Sequence, residues 1–293
     1  MTRWMRLLAL AMTLVLAGLA PGAAREPEEG VKVGRGSFIR NLYPASVLEN
    51  SAAQQFLTVK RQANARGALL PPNHPEVARL RRIASELLPF AEKWNPRAKA
   101  WKWEVVLVRS GNVNAFCMPG GKIAFFTGIL EKLNLTDDEV AMVMGHEIAH
   151  ALREHSRARA VKSTLAQVGG RVIGALIFGQ AGEIIGAQGA GLLTLKFSRD
   201  DEKEADLVGM ELAARAGYNP MAGITLWEKM GRLVKGAPPQ WLSTHPASDT
   251  RVQLIKDNLK DVEGLYERAR AAKAAGLPVP RPSPAPPAPA VKR

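Results

Sequence analysis

One stretch of the chain, Thr136 to Leu152, limits what the rest can be. Thr136-Asp137-Asp138-Glu139 has the pattern of a capping box, with Thr136 as N-cap and Glu139 at the third helical position. Val140, Val143, Met144, Ile148, Ala151 and Leu152 then recur at helical spacing, with no Pro and one Gly between them. On such a helix His146 and His150 stand one turn apart on one face, about 6 Å along the axis. Two imidazoles so placed can bind one Zn²⁺, and Glu147, beside the first, can reach a water on the metal. A buried helix that merely carries two histidines is the bland alternative. The chain has only five His, and two of them fall here.

Two ligands do not complete a catalytic zinc site, which needs a third and an open position for water. A third His six residues after His150 is absent, because position 156 is Ser and His155 is one residue short. The remaining source is a carboxylate from another helix. Ser198-Arg199-Asp200-Asp201-Glu202-Lys203-Glu204-Ala205-Asp206 offers one. In a helix Glu202 and Asp206 share a face, so Glu202 can bind the metal while Asp206 holds a histidine ligand from behind. Glu204 points elsewhere, yet the residues alone allow either Glu as ligand. By composition the stretch also reads as a solvated acidic helix start, favoured by the helix dipole.

These motifs together resemble the gluzincin metallopeptidases of the CAAX-prenyl-protease type, peptidase family M forty-eight. Ser198 to Asp206 is similar to the version found in the BepA- and LoiP-like periplasmic branch of bacteria and in a mitochondrial relative. Asn114-Ala115-Phe116-Cys117-Met118-Pro119-Gly120-Gly121-Lys122-Ile123 resembles the family's strand-turn-strand before the zinc helix. His155 matches a frequent extension of that helix, and Thr244-His245-Pro246 through Arg251 resembles the family's downstream segment. The resemblance runs from about residue 38 to 260. It implies a zincin-type α+β fold, mainly helical, with a small β-sheet beside the zinc helix. It implies one Zn²⁺ per chain on His146, His150 and Glu202, with Asp206 behind a ligand and Glu147 as general base. The spacing of the family pattern selects Glu202 over Glu204.

The same resemblance implies peptide-bond hydrolysis, with His245 and Arg251 near the metal as donors to the tetrahedral intermediate. His245 has a second reading, as a latch that fills the open zinc position. Asn114, Ala115 and Phe116 are expected to form an edge strand that pairs with extended substrate by β-augmentation. A purely structural hairpin is the alternative there. Unfolded or misfolded cell-envelope proteins are the implied substrates, and the outer-membrane assembly machinery or the membrane surface the implied partners. A zinc-binding chaperone or scaffold without hydrolysis is the rival function, although it leaves Glu147 without a purpose. A basic envelope-binding adaptor is a third reading, supported by charge alone.

Composition sets the remaining bounds. With 46% hydrophobic and 23% charged residues the chain has ample core material. Arg3 and Arg6, the 13-residue apolar run Leu7–Leu19 and the small residues up to Ala24 have the pattern of a cleaved export signal. The run is short for a membrane span. The expected location is therefore the periplasm, with residues 1–24 removed, 25–272 as the metallopeptidase domain and 273–293 as a disordered Pro/Ala-rich tail. Cys117 is the sole cysteine, which excludes an internal disulfide. The net charge of +13 comes from scattered Lys and Arg and favours anionic surfaces; nucleic acid is not an expected partner.

Helices are predicted from Ser46 to Ala65, from Pro75 to about Lys93 with Pro89 kinking or ending it, and from Thr127 to Leu133. Others are predicted from Ser198 to Gly217, from Pro220 to Leu233, and from Pro246 to about Ala272. Strands are predicted at Trp101–Val108, Val113–Cys117 and Lys122–Phe126, with His245 in a loop after Pro238-Pro239. The Gly- and Ala-rich stretch 162–196 reads as a packed helical hairpin, or as a mobile or membrane-facing element over the cleft.

Overall fold

The computed structural model describes residues 29–168, 196–233, 240–245 and 249–281. The apolar run before residue 25 and most of the Gly-rich stretch 162–196 lie outside them. Two helices lead in: α1 (Ala45–Ala65) and α2 (Pro75–Leu87). Pro75 occupies the first turn of α2, where no N–H partner is needed, and the His74 ring accepts from the Glu76 N–H. Pro89 does end this helix early, since Leu88–Lys93 is a 3₁₀ turn.

Three short strands follow: β1 (Glu104–Val108), β2 (Ala115–Met118) and β3 (Lys122–Phe126). The sheet order is β1-β3-β2; β1 runs parallel and β2 antiparallel to the central β3. The three-residue turn between β2 and β3, Pro119 to Gly121, places Gly120 and Gly121 at φ of +81° and +80°, a backbone conformation that favours glycine. A Cβ on Gly121 would also meet the Trp103 ring at 2.7 Å. The first strand is shorter than predicted. The indoles of Trp101 and Trp103 instead bond Glu49 Oε1 and the Ala98 carbonyl, which ties that segment to its neighbours outside the sheet.

The remaining elements are helical: α3 (Thr127–Leu133), α4 (Asp137–Leu152), α5 (His155–Val168), α6 (Arg199–Arg215), α7 (Ala222–Leu233), α8 (Gln240–Thr244), α9 (Asp249–Asn258) and α10 (Lys260–Ala274). The fold is therefore α+β and mainly helical, with the small sheet packed against α4. Two predictions are corrected. The last helix is two helices that part at Leu259, and His245 follows a short helix, bonding the Trp241 carbonyl through its N–H at 2.8 Å. The chain also stays attached beyond Ala272. Helix α10 runs to Ala274, and Val279 packs against the core.

The core centres on α4 and α6. Every α4 side chain from Glu139 to Leu152 is buried. The two helices cross at Gly145 and Gly209, where a Cβ on Gly209 would lie 2.6 Å from the His146 nitrogen and one on Gly145 2.7 Å from the Gly209 carbonyl oxygen. Only glycine permits so close an approach. No helix among the described residues is long and apolar enough to cross a membrane.

Candidate metal centre

Both helices that carry the donors are started by their own sequence. The Thr136 hydroxyl accepts from the Glu139 N–H while the Glu139 carboxylate accepts from the Thr136 N–H. Ser198 and Asp201 repeat the arrangement at α6. With these starts fixed, His146, Glu147 and His150 on α4 face Glu202 and Asp206 on α6. All five are buried. The acidic start of α6 is therefore divided: Asp200 is exposed, Asp201 caps, and Glu202 and Asp206 turn inward.

Four donors converge. Nε2 of His146 lies 3.1 Å from Nε2 of His150 and 3.1 Å from Nδ1 of His245. The Glu202 carboxylate lies 3.5 Å from Nε2 of each α4 histidine and 3.0 Å from Nδ1 of His245. One ligand atom from each of these four residues falls within 4.8 Å of the others. Ligand atoms around a tetrahedral Zn²⁺ stand about 3.3 Å apart, given metal–nitrogen bonds of about 2.05 Å.

The chemistry of the donor set fits such a cation. Nδ1 of His146 sits 3.0 Å from Asp206 Oδ1 and donates its proton outward, which leaves the Nε2 lone pair facing the centre. Lone pairs of several imidazoles and a carboxylate gathered at 3 Å repel one another unless a proton or a metal ion lies among them. The acid–base shifts have the same origin. Burial pushes the His146 imidazolium down, but the carboxylates of Asp206 and Glu202 outweigh it and raise its pKa to about 9. Burial holds His150 well below the ordinary histidine value. Glu202 is buried, which favours its neutral form, yet the three histidines around it hold its pKa far below the carboxylate range.

Arg251 stands behind the donors. Its Nε and Nη2 each donate at 2.6 Å to Asp206, and Nη1 lies 2.6 Å from Glu202 Oε2. Its guanidinium lies 3.9 Å from the centroid of the Trp227 ring. The Arg251 charge also lowers the Asp206 pKa, overcoming the opposite effect of burial. The residue expected to face substrate thus braces two carboxylates of the centre. It does not line the cleft described next.

That cleft, about 330 Å³, opens beside the donors and is lined by Asn114, Ala115 and Phe116 on one side and by Glu147, His150 and His245 on the other. The expected edge strand is an edge in the sheet, since β2 pairs with β3 alone among the named strands. Two residues of the site, Trp241 and Phe197, carry no sequence signal of their own. Trp241 donates from Nε1 to Glu147 Oε1 at 2.7 Å. Phe197 stacks on the His150 ring with centroids 3.9 Å apart. Glu204 bonds His155, which in turn contacts His150. Aromatic residues in a helix and a coil announce nothing by spacing; only the residues they meet distinguish them.

The family model described as Peptidase family M48 matches residues 76–259, a span that holds every donor above. The chain is 39% identical over 153 residues to the mitochondrial metalloendopeptidase OMA1 of Arabidopsis thaliana, covering 52% of this chain and 31% of that protein. It is 31% identical over 213 residues to OMA1 of Saccharomyces cerevisiae, covering 69% and 61%. It is 29% identical over 207 residues to the metalloprotease LoiP of Escherichia coli, covering 68% and 77%. The chain thus spans less than two thirds of the length of the two OMA1 proteins. The expected periplasmic location is corrected by these relatives. Mitochondrial enzymes of a plant and a yeast share this domain, so its motifs do not mark a periplasmic protein. The zinc expected from the sequence agrees with the donor set and with the metallopeptidase relatives. On the family match and the four ordered motifs within it, the chain belongs to peptidase family M48.

Proposed function

We propose that the chain is a zinc-dependent endopeptidase acting on unfolded or misfolded proteins. His146, His150 and Glu202 hold the metal in this reading, and Asp206 orients His146. The observation that carries it is the convergence of two α4 imidazoles and an α6 carboxylate at 3.1–3.5 Å beside an open cleft. A bound zinc ion polarises a carbonyl and makes water nucleophilic near neutral pH. Glu147 would serve as the general base, taking a proton from a water in the cleft and returning it to the leaving amine. Its carboxylate borders the cleft, oriented by Trp241. The edge of β2 at Asn114, Ala115 and Phe116 is the proposed docking line for an extended peptide. An outer-membrane assembly machinery, as a more specific partner, rests on the resemblance to the bacterial branch alone. The peptidase domain is taken to begin at residue 25 and to include α10 and Val279, past the expected limit at 272.

A resting, latched form is favoured by one observation. Nδ1 of His245 occupies the fourth corner of the donor set, 3.0 Å from Glu202 and 3.1 Å from His146. In this form the position needed by water is filled by the protein itself.

Metal analysis of the purified chain with caseinolysis measured alongside tests the proposal. The wild-type chain is expected to hold one zinc, Glu202→Ala to lose it, and Glu147→Gln to keep it while cleavage falls by about 10²–10⁴. Zinc retained in Glu202→Ala, or cleavage retained in Glu147→Gln, overturns the assignment.

A further inference from the structure

Helix α4 ends at Leu152, and the chain turns sharply through Glu154, whose φ of +58° is rare for a residue with a side chain. The Glu154 carboxylate is held by Arg97 and Arg157 at 3.1 and 2.9 Å, which maintains the unusual backbone. The turn brings the first residue of α5, His155, back beneath His150. Nδ1 of His155 then lies 2.9 Å from Nδ1 of His150, and Nε2 of His155 lies 2.9 Å from Glu204 Oε2. Arg153 pairs with the other oxygen of Glu204. His155 is buried, so water does not supply alternative partners.

The protons of this chain of groups can be counted. Glu204, as a carboxylate, only accepts, so the Nε2 of His155 carries a proton and donates it. If both rings are neutral, Nδ1 of His155 is then an acceptor, and Nδ1 of His150 must be the donor. That leaves the Nε2 of His150 without a proton, its lone pair facing Nε2 of His146 and the Glu202 carboxylate. The opposite direction would place an N–H of His150 against the centre, where a metal ion could not bind.

We propose that His155 is a positioning residue for the metal centre: bonded to Glu204, it accepts from Nδ1 of His150 and fixes His150 as the ligand tautomer. Glu204, the carboxylate that competes with Glu202 in the sequence, thereby serves the opposite ligand from outside. The proposal rests on the zinc reading of the site, and carboxylate–histidine contacts of this kind are worth about 10- to 100-fold in metal affinity.

The test measures zinc affinity of the full chain by competition with a chromophoric chelator, together with the visible spectrum of the Co²⁺-substituted protein. His155→Phe keeps a ring against Phe197 but cannot accept, and is expected to bind zinc about 10- to 100-fold more weakly with a changed Co²⁺ spectrum. His155→Asn places an amide oxygen where Nδ1 stood and is expected to recover most of the loss. Glu204→Gln, which keeps the shape and removes the charge, is expected to weaken zinc binding about tenfold. Nitrogen NMR of the metal-free wild-type chain, with five histidines to assign, is expected to find His150 in the Nδ1–H form. Wild-type zinc affinity in His155→Phe, or His150 in the Nε2–H form, overturns the proposal. If His155→Phe does not fold, unchanged affinity in Glu204→Gln overturns it. A wild-type chain that binds no zinc defeats the reading of the site, while the NMR tautomer still decides the role of His155.

Discussion

The indole of Trp241 donates a 2.7 Å hydrogen bond to Oε1 of Glu147, and both side chains are buried. The bond spans 94 residues of sequence and joins the short helix α8 to the middle of α4. A hydrogen bond to a charged group is worth about 1.5–3 kcal/mol. Trp241→Phe removes the donor and keeps an aromatic ring. The expected outcome is a fall of about tenfold or more in kcat with zinc content unchanged, measured by peptide cleavage and metal analysis of the same preparation.

His245 fills a corner of the donor set in the structure, so its removal should open that corner. His245→Ala is expected to raise basal cleavage of an unfolded protein. Each 1.4 kcal/mol by which the latch favours the closed form corresponds to about tenfold. A fall in activity instead would assign His245 to the transition state, with its Nε2, 3.5 Å from Glu147 Oε1, as the donor.

Gly145 and Gly209 permit the contact between the helix of the two histidines and the helix of Glu202. In Gly209→Ala the added methyl meets the α4 backbone at His146, and no flexible side chain is there to yield. The helices must separate, at a cost of about 1–3 kcal/mol. The expected result is a lower Tm together with weaker zinc binding, because the same shift draws Glu202 from the imidazoles. Weaker stability with intact zinc affinity would show that the crossing and the centre are independent.

Glu139 caps α4 and also accepts from Lys229 at 2.6 Å and Thr225 at 2.8 Å. Burial favours its neutral form, but these donors and the Thr136 N–H outweigh burial and hold its pKa below the ordinary value. A carboxylate depressed on folding contributes stability above its unfolded pKa of about 4.3, and the contribution disappears as pH falls through the folded value. Glu139→Gln is therefore expected to lower stability at pH 7 by about 1–2 kcal/mol. In thermal melts over a pH series, the gap between variant and wild type should close below about pH 4.

Much of the site was legible because its motifs are local. A capping box, two histidines one turn apart and two carboxylates one turn apart are fixed by the 3.6-residue period, which any helix imposes on its own sequence. The edge position of β2 is expected only from the family resemblance, and the sheet order β1-β3-β2 supplies it. The sequence by itself therefore determined the two donor helices, the shared face of His146 and His150, and the family.

Tertiary structure decided which partners those faces meet. Residues alone left Glu202 and Glu204 as rivals; packing turned Glu202 to the centre and gave Glu204 to His155. Arg251, expected against substrate, stands behind Asp206 and Glu202. Trp241 reaches Glu147, and Gly209 admits the α4 backbone. Each of these contacts joins residues 43 or more apart in sequence. Helical periodicity relates only neighbours three or four positions away, so contacts at that range are set by how the helices cross and by what the crossing leaves room for.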